Sequence, residues 1–287
     1  MITVKSVAKV ADATSLIQGA ATALRQAVDE AGIDASQLGA IINSSVGRDL
    51  NIWEPAIAAL IQQQAGIHLR FDPRSPARPP ITFDLLDGVS SVASASSVIE
   101  SFCLAGDVEF AAIIAGDVHP SMSPFLRPSF PFLTDVFVAI VSTDGPGLAT
   151  ITRLDGGRCS ERRTELEPEA FADLTGVGSA GRSEITMRAP VFDVPYLVDM
   201  AHHLTLMNTD TAIVPWPGYL NEKFESVAGT DLTLVNLYPH GRTHYTAMPL
   251  AALHALVNGL ASDVEQVAVA PLPGENQVFF DVVLASK

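Results

Sequence analysis

The sequence predicts an α/β fold of buried sheets with helices between and outside them, assembled from two pseudo-repeated halves. Three observations carry this. Apolar, strand-like runs alternate with amphipathic stretches along most of the chain. Each half runs strand–helix–strand–helix and closes on a pair of strands. The chain has 287 residues, 48% of them hydrophobic and 17% charged, which is ample for a layered core. Residues 1–154 form the N-terminal half and 186–287 the C-terminal half. Residues 155–185, polar and weakly patterned, connect them.

Residues 12–32 read as a helix with Asp12 as N-cap and Gly32 as terminator; Ile17, Ala21, Leu24 and Val28 fall on one face. A strand follows at 40–43. Residues 51–66 read as a second helix, with Pro55 in its first turn. The proline-rich segment 71–80 is a loop. Residues 81–86 are an apolar run that reaches the turn Asp87-Gly88. A small-residue helix, 90–104, and a second apolar run, 110–115, come next. Residues 120–132 interleave Pro120, Pro124, Pro128 and Pro131 with phenylalanines and cannot form a regular helix or a central strand. Strands at 136–142 and 148–153 are predicted to make a hairpin around Asp144 to Gly147. In the second half, helices are expected at 191–207, 219–227 and 247–260. Strands are expected at 211–214 and 232–237, and a closing hairpin from 264–270 and 277–285.

Composition excludes several function classes. Against 17 Lys+Arg stand 32 Asp+Glu, a formal charge of -15, the wrong sign for phosphate backbones or an anionic membrane surface. No apolar run approaches the roughly 20 residues that span a bilayer. The N-terminal residues lack a signal-peptide pattern, so the cytoplasm is the expected location. The two cysteines, Cys103 and Cys159, make no disulfide framework. No Cys/His cluster of metal-binding type and no phosphate-cradling glycine motif is present, and no cofactor is expected.

The strand–turn–helix unit at 81–104 has the shape of a nucleophile elbow. At a helix start, unpaired N–H groups and the dipole favour a developing negative charge and would activate a nucleophile. The residue at that point is Val89, which offers none. Ser90 and Ser91 stand beside it, and a serine there would need a base. His240 and His244 are the candidates. The plainer reading of a serine at a helix start is a cap, and of Cys103 in mid-helix a small buried hydrophobe. Asp84 and Asp87 read as structural, Asp87 setting the turn with Gly88.

With these pieces in order, the sequence resembles the thiolase superfamily, and within it the type III ketoacyl synthases, which condense acyl-thioesters. Ala31-Gly-Ile-Asp-Ala-Ser-Gln-Leu38 with Ala40-Ile-Ile-Asn-Ser-Ser45 resembles the family's first helix and strand. Phe83-Asp-Leu-Leu-Asp-Gly-Val-Ser-Ser resembles the elbow that carries its cysteine. Ile114-Ala-Gly-Asp-Val118 resembles the strand after the elbow helix. Thr134 to Val141 sits where the family has a Gly-Asp-Gly-Ala strand. Val214-Pro-Trp-Pro-Gly-Tyr219 sits at Val-Pro-His-Gln-Ala-Asn, and Gly241-Arg-Thr-His-Tyr-Thr-Ala-Met-Pro-Leu250 at Gly-Asn-Thr-Ser-Ala-Ala-Ser-Ile-Pro-Leu. The resemblance implies a thiolase-like α-β-α-β-α layering. It also implies that the cysteine, histidine and asparagine positions are Val89, Trp216 and Arg242, all three unable to do the family's chemistry. Trp216 would plug the old cavity, stacked on Arg242. The family's early segment, which helps bind the phosphopantetheine arm and coenzyme A, has no counterpart before the first long helix.

Thiolase-fold proteins are generally dimers, and the family includes heterodimers with one degenerate subunit. The resemblance thus implies a non-catalytic subunit paired with a catalytically complete ketosynthase III-like chain. It would act in secondary metabolite or fatty-acyl biosynthesis and meet acyl-thioester through that partner. Two other readings stay open. One is an acyltransferase with a rewired Ser/His site; the other is a non-catalytic small-molecule binding protein.

Overall fold

The computed structural model describes residues 1–52, 54–69, 74, 78–119, 132–158, 194–207, 209–216, 220–229, 232–238, 242–260, 263, 265–270 and 276–285. The elements of the first half are β1 (Ile2–Val10), α1 (Leu16–Ala31), β2 (Leu38–Asn43), α2 (Ile57–Ala65), β3 (Ile81–Asp84), α3 (Ser91–Leu104), β4 (Phe110–Gly116) and β5 (Val136–Ser142). They are followed by β6 (Ala149–Arg158), α4 (Val194–Leu206), β7 (Thr211–Val214), α5 (Asn221–Ala228), β8 (Thr233–Asn236), α6 (Met248–Val257), β9 (Gln266–Val269) and β10 (Asn276–Leu284).

The strands run β3-β2-β4-β5-β1-β6-β10-β9-β7-β8 across one ten-stranded sheet. Read from its two ends, the sheet repeats one order: β3-β2-β4-β5-β1 and β8-β7-β9-β10-β6. The copies meet where β1 pairs antiparallel with β6, with Ile2 opposite Ile151. This is the two-half repeat expected from the alternation of elements.

Three apolar clusters show the layers. One joins Val92, Ala95 and Ile99 of α3 and Leu250, Leu253 and Leu256 of α6 to Ile113, Phe137, Val267 and Val282 of both sheet halves. A second packs Leu16 and Leu24 of α1 and Ile57 and Ile61 of α2 on Ile41, Ile114 and Val138. The third packs Leu197 and Leu204 of α4 and Phe224 of α5 on Ala212, Val214 and Ala268. Adjacent residues such as Ile113 and Ile114 enter different clusters, as a pleated strand buried on both faces requires. The layering is α1/α2, sheet, α3/α6, sheet, α4/α5. It is the thiolase-like α-β-α-β-α fold.

Several expectations are corrected. β1 lies in the middle of the sheet and was not anticipated. It separates β5 from β6, which therefore form no hairpin; β5 pairs with β1 and β4, and β6 with β1 and β10. The turn Asp144 to Gly147 feeds the chain back onto β1, where the Leu148 amide donates to the Val4 carbonyl at 2.7 Å. α1 begins at Leu16, capped by Ser15, because Asp12 has φ 51 and lies outside the helix. α2 begins at Ile57, so Pro55 precedes it. β6 continues to Arg158, into the stretch 155–185, and residues 159–193 lie outside the described residues, as does Cys159. The stretches 71–80 and 120–132 are described only at Arg74, 78–80 and Phe132.

Two helix starts, and the segment before a third, are held by carboxylates from elsewhere in the chain. Asp49 accepts from the Ser15 hydroxyl (2.6 Å) and from the amides of Leu16 and Ile17 at the head of α1. Asp84 accepts from the amides of Ile57 and Ala58, both at 2.9 Å, and pairs with Arg48 at 3.0 Å. Asp117 accepts from the Tyr245 and Ala247 amides just before α6. Each supplies acceptors to orphan N–H groups and a negative charge to the positive end of the dipole.

Candidate active site at the elbow

The elbow is built from backbone bonds and two serines. β3 ends at Asp84, and the Leu85 amide donates to the Asn43 carbonyl at 2.9 Å. The chain turns at Gly88, whose φ of +51 suits a residue without a side chain. A single 3-10 turn, Gly88–Ser90, contains Val89 and leads into α3. The Ser91 hydroxyl donates to the Gly88 carbonyl and accepts from the Asp87 amide, both at 2.8 Å. Ser94 donates to the Asp87 carboxylate at 2.6 Å. Ser91 is fully buried and its hydroxyl is spent on closing the turn; Ser90 is buried beside it.

Opposite the elbow stands the segment Thr243 to Ala247, which precedes α6. It is fastened to the first half at three points. The Leu133 amide donates to the Thr243 carbonyl at 2.8 Å. Asp117 accepts from the Tyr245 amide (3.0 Å), the Thr246 hydroxyl (2.7 Å) and the Ala247 amide (3.3 Å). His244 closes the third point. Its Nδ1 lies 2.7 Å from the Tyr238 hydroxyl, and its Nε2 lies 3.3 Å from Asp135 Oδ2. Burial pushes the Tyr238 phenol well above its usual value, so it keeps its proton and donates to Nδ1. The imidazole then carries its proton on Nε2 and donates to Asp135. Burial alone would raise the Asp135 carboxyl. Bonds from His244, Lys9 (2.6 Å) and the Asp12 amide instead hold it far below the carboxylate range. Asp117 goes the other way: burial pushes its carboxyl up, against the bonds from Thr246, Tyr245 and Ala247.

The expected site residues are distributed as follows. Val89 is in the elbow turn, with Ser90 and Ser91 after it. His244 is held between Tyr238 and Asp135. His240 lies outside the described residues. Arg242 is exposed, whereas Trp216 is completely buried in the outer cluster of α4 and α5. Its indole N–H donates to Asn221 at 2.9 Å, and its ring packs 5.3 Å from Phe224 and 6.5 Å from Tyr196. Burial pushes the Cys103 thiol up, so it is not an activated thiolate. Among the described residues no group of three or more His, Cys, Asp or Glu could hold a metal, and no helix is long and apolar enough to cross a membrane.

Sequence reasoning missed Asp117, Asp135, Lys9, Tyr238 and Tyr245. A signal existed for the two aspartates. Each abuts an apolar strand at its end, Gly116-Asp117 and Asp135-Val136, where a charge survives only with partners.

No family model matches the chain. The β-ketoacyl-[acyl-carrier-protein] synthase III of Yersinia enterocolitica is 24% identical over 260 residues, covering 84% of this chain and 74% of that protein. The tetronic acid condensing enzyme AbyA1 superposes with a TM-score of 0.68 at 14% identity over 100% of both chains. The 3-oxoacyl-(acyl carrier protein) synthase III of Xanthomonas oryzae pv. oryzae does so at 0.68, with 13% identity over 98% of each. The chain shares the thiolase-like fold of these condensing enzymes. Its sequence is similar to that of a ketoacyl synthase III.

Proposed function

We propose that this chain is a catalytically degenerate ketoacyl synthase III-like subunit. It would pair, as a heterodimer or higher assembly, with a catalytically complete ketosynthase III-like chain in the cytoplasm. There it would complete the assembly of a condensing or acyltransferase enzyme of secondary metabolite or fatty-acyl biosynthesis. Residues 1–154 and 186–287 would serve as its two halves, and acyl-thioester would be handled by the partner. One observation supports this reading above others. Ser91 and His244 are closed into separate networks: Ser91 with Asp87 and Gly88, His244 with Tyr238 and Asp135. A nucleophile needs its base within hydrogen-bond reach, and these two groups are each committed elsewhere.

The test is co-expression with a complete ketosynthase III-like chain, followed by size-exclusion chromatography and a condensation assay. A stable complex is expected, together with no turnover of acyl-CoA by this chain alone. Turnover by the isolated chain that disappears in Ser90→Ala or His240→Ala, or an acyl adduct on its intact mass, would overturn the proposal in favour of a rewired Ser/His acyltransferase.

A further inference from the structure

Tyr245 stands where the resembled motif has an alanine, so a small side chain has become a large one beside the elbow. Its backbone is fixed. The Tyr245 amide is held by Asp117, and its neighbours His244 and Thr246 are held by Asp135 and Asp117. Its ring stacks on Phe132, with centroids 5.2 Å apart and planes at 24°, and Phe132 is itself fully buried. The hydroxyl reaches across to the turn: a Cβ built on Gly88 would lie 3.1 Å from Tyr245 Oη. The phenol stays neutral, pushed up to about 12 by burial and then by the charges of Asp117 and Asp87.

We infer that Tyr245 is the stopper of the elbow, the side chain that fills the space before the turn Gly88–Ser90 and decides what enters it. The inference rests on the reading of this chain as a degenerate condensing-enzyme subunit. It assigns the closure to the segment before α6, whereas Trp216 fills the outer layer of the second half. Gly88 suits this closure twice over. Its positive φ makes the turn, and its missing Cβ leaves the hydroxyl room.

Tyr245→Ala removes a ring and a hydroxyl, a void on the order of 100 Å3. That approaches the scale at which enclosed apolar cavities take up benzene-sized molecules. The experiment uses the full chain and p-cresol, which has the shape of the removed group, followed by calorimetry and thermal melts. Tyr245→Ala is expected to bind p-cresol saturably and to gain a few degrees of Tm with it. The wild type and Tyr245→Phe should show neither effect. Equal binding by the wild type, or none by a folded Tyr245→Ala, overturns the inference. Should Tyr245→Ala fail to fold, Gly88→Ala is compared in two backgrounds. It should lower Tm more beside Tyr245 than beside Tyr245→Phe, and an equal loss in both refutes the contact. Turnover by the isolated chain would sink the subunit reading while leaving these binding results intact.

Discussion

Replacing Asp117 by alanine should destabilise the protein by about 3–4 kcal/mol, more than any exposed carboxylate. The carboxylate is buried and accepts three bonds, from the Tyr245 and Ala247 amides and the Thr246 hydroxyl. Removing it leaves buried donors without an acceptor, at about 1–3 kcal/mol for each orphaned group. An offset applies, because burial pushes this carboxyl up and its ionised form is costly to keep inside. Urea denaturation followed by circular dichroism measures the total. Asp107→Ala, at an exposed position, is the control and should stay within about 0.5 kcal/mol of wild type. Amide exchange supplies the local reading, since the Tyr245 and Ala247 amides should exchange much faster in Asp117→Ala. A loss under about 1 kcal/mol, with both amides still protected, would falsify the view that Asp117 holds this segment on the elbow.

Asp135→Asn should change the acid limb of stability. The folded carboxyl lies below its ordinary value of 3.8, so its contribution is present above about pH 4 and fades as pH falls towards the folded value. The variant should be less stable at neutral pH and lose less between pH 4 and 2; an acid limb parallel to wild type counts against the His244–Asp135–Lys9 network. Ser91→Ala should cost about 1–2 kcal/mol in the same urea assay, because it orphans the Asp87 amide; a neutral result would mean the hydroxyl does not close the turn. Trp216→Ala should cost about 3–5 kcal/mol as a large buried-aromatic truncation. It opens the outer layer and not the elbow, so a loss under about 1 kcal/mol would count against its burial between α4 and α5.

The repeat of the two halves was legible because strand and helix periods alternate, and that pattern is local. Non-local features were not. β1 escaped because its pairing with β5 shifts register between Val4 and Ser6, which breaks the two-residue alternation that identifies a strand. The supposed hairpin at 136–153 had a sound turn signal, yet β1 takes the place between its arms. The start of α2 was misplaced because its carboxylate cap, Asp84, comes from another part of the chain, and that of α1 because Ser15, not Asp12, is its N-cap. At the site, the position of Val89 in the elbow turn could be read from the strand–turn–helix pattern. The contact of Tyr245 with Gly88 could not, since it depends on how the segment before α6 is anchored to Asp117 and Asp135. Trp216 was legible as a bulky replacement. The layer it fills was not.

The elbow keeps its shape because none of the bonds that make it uses a nucleophile. Its geometry comes from the backbone of Asp87 and Gly88 and the hydroxyls of Ser91 and Ser94. The helix behind it is retained for a separate reason. Val92, Ala93, Ala95 and Ile99 of α3 lie in the cluster that also takes in residues of both sheet halves, so losing α3 would uncover the centre of the molecule. The same holds across the site, where Asp117 and Asp135 carry a structural load in fixing the segment before α6. An exposed position such as Arg242 can change at little cost to folding. The carboxylates that dock the two halves cannot. On the degenerate-subunit proposal, Asp117 and Asp135 hold the segment before α6 in place while Phe132 and Tyr245 set aromatic bulk before Gly88.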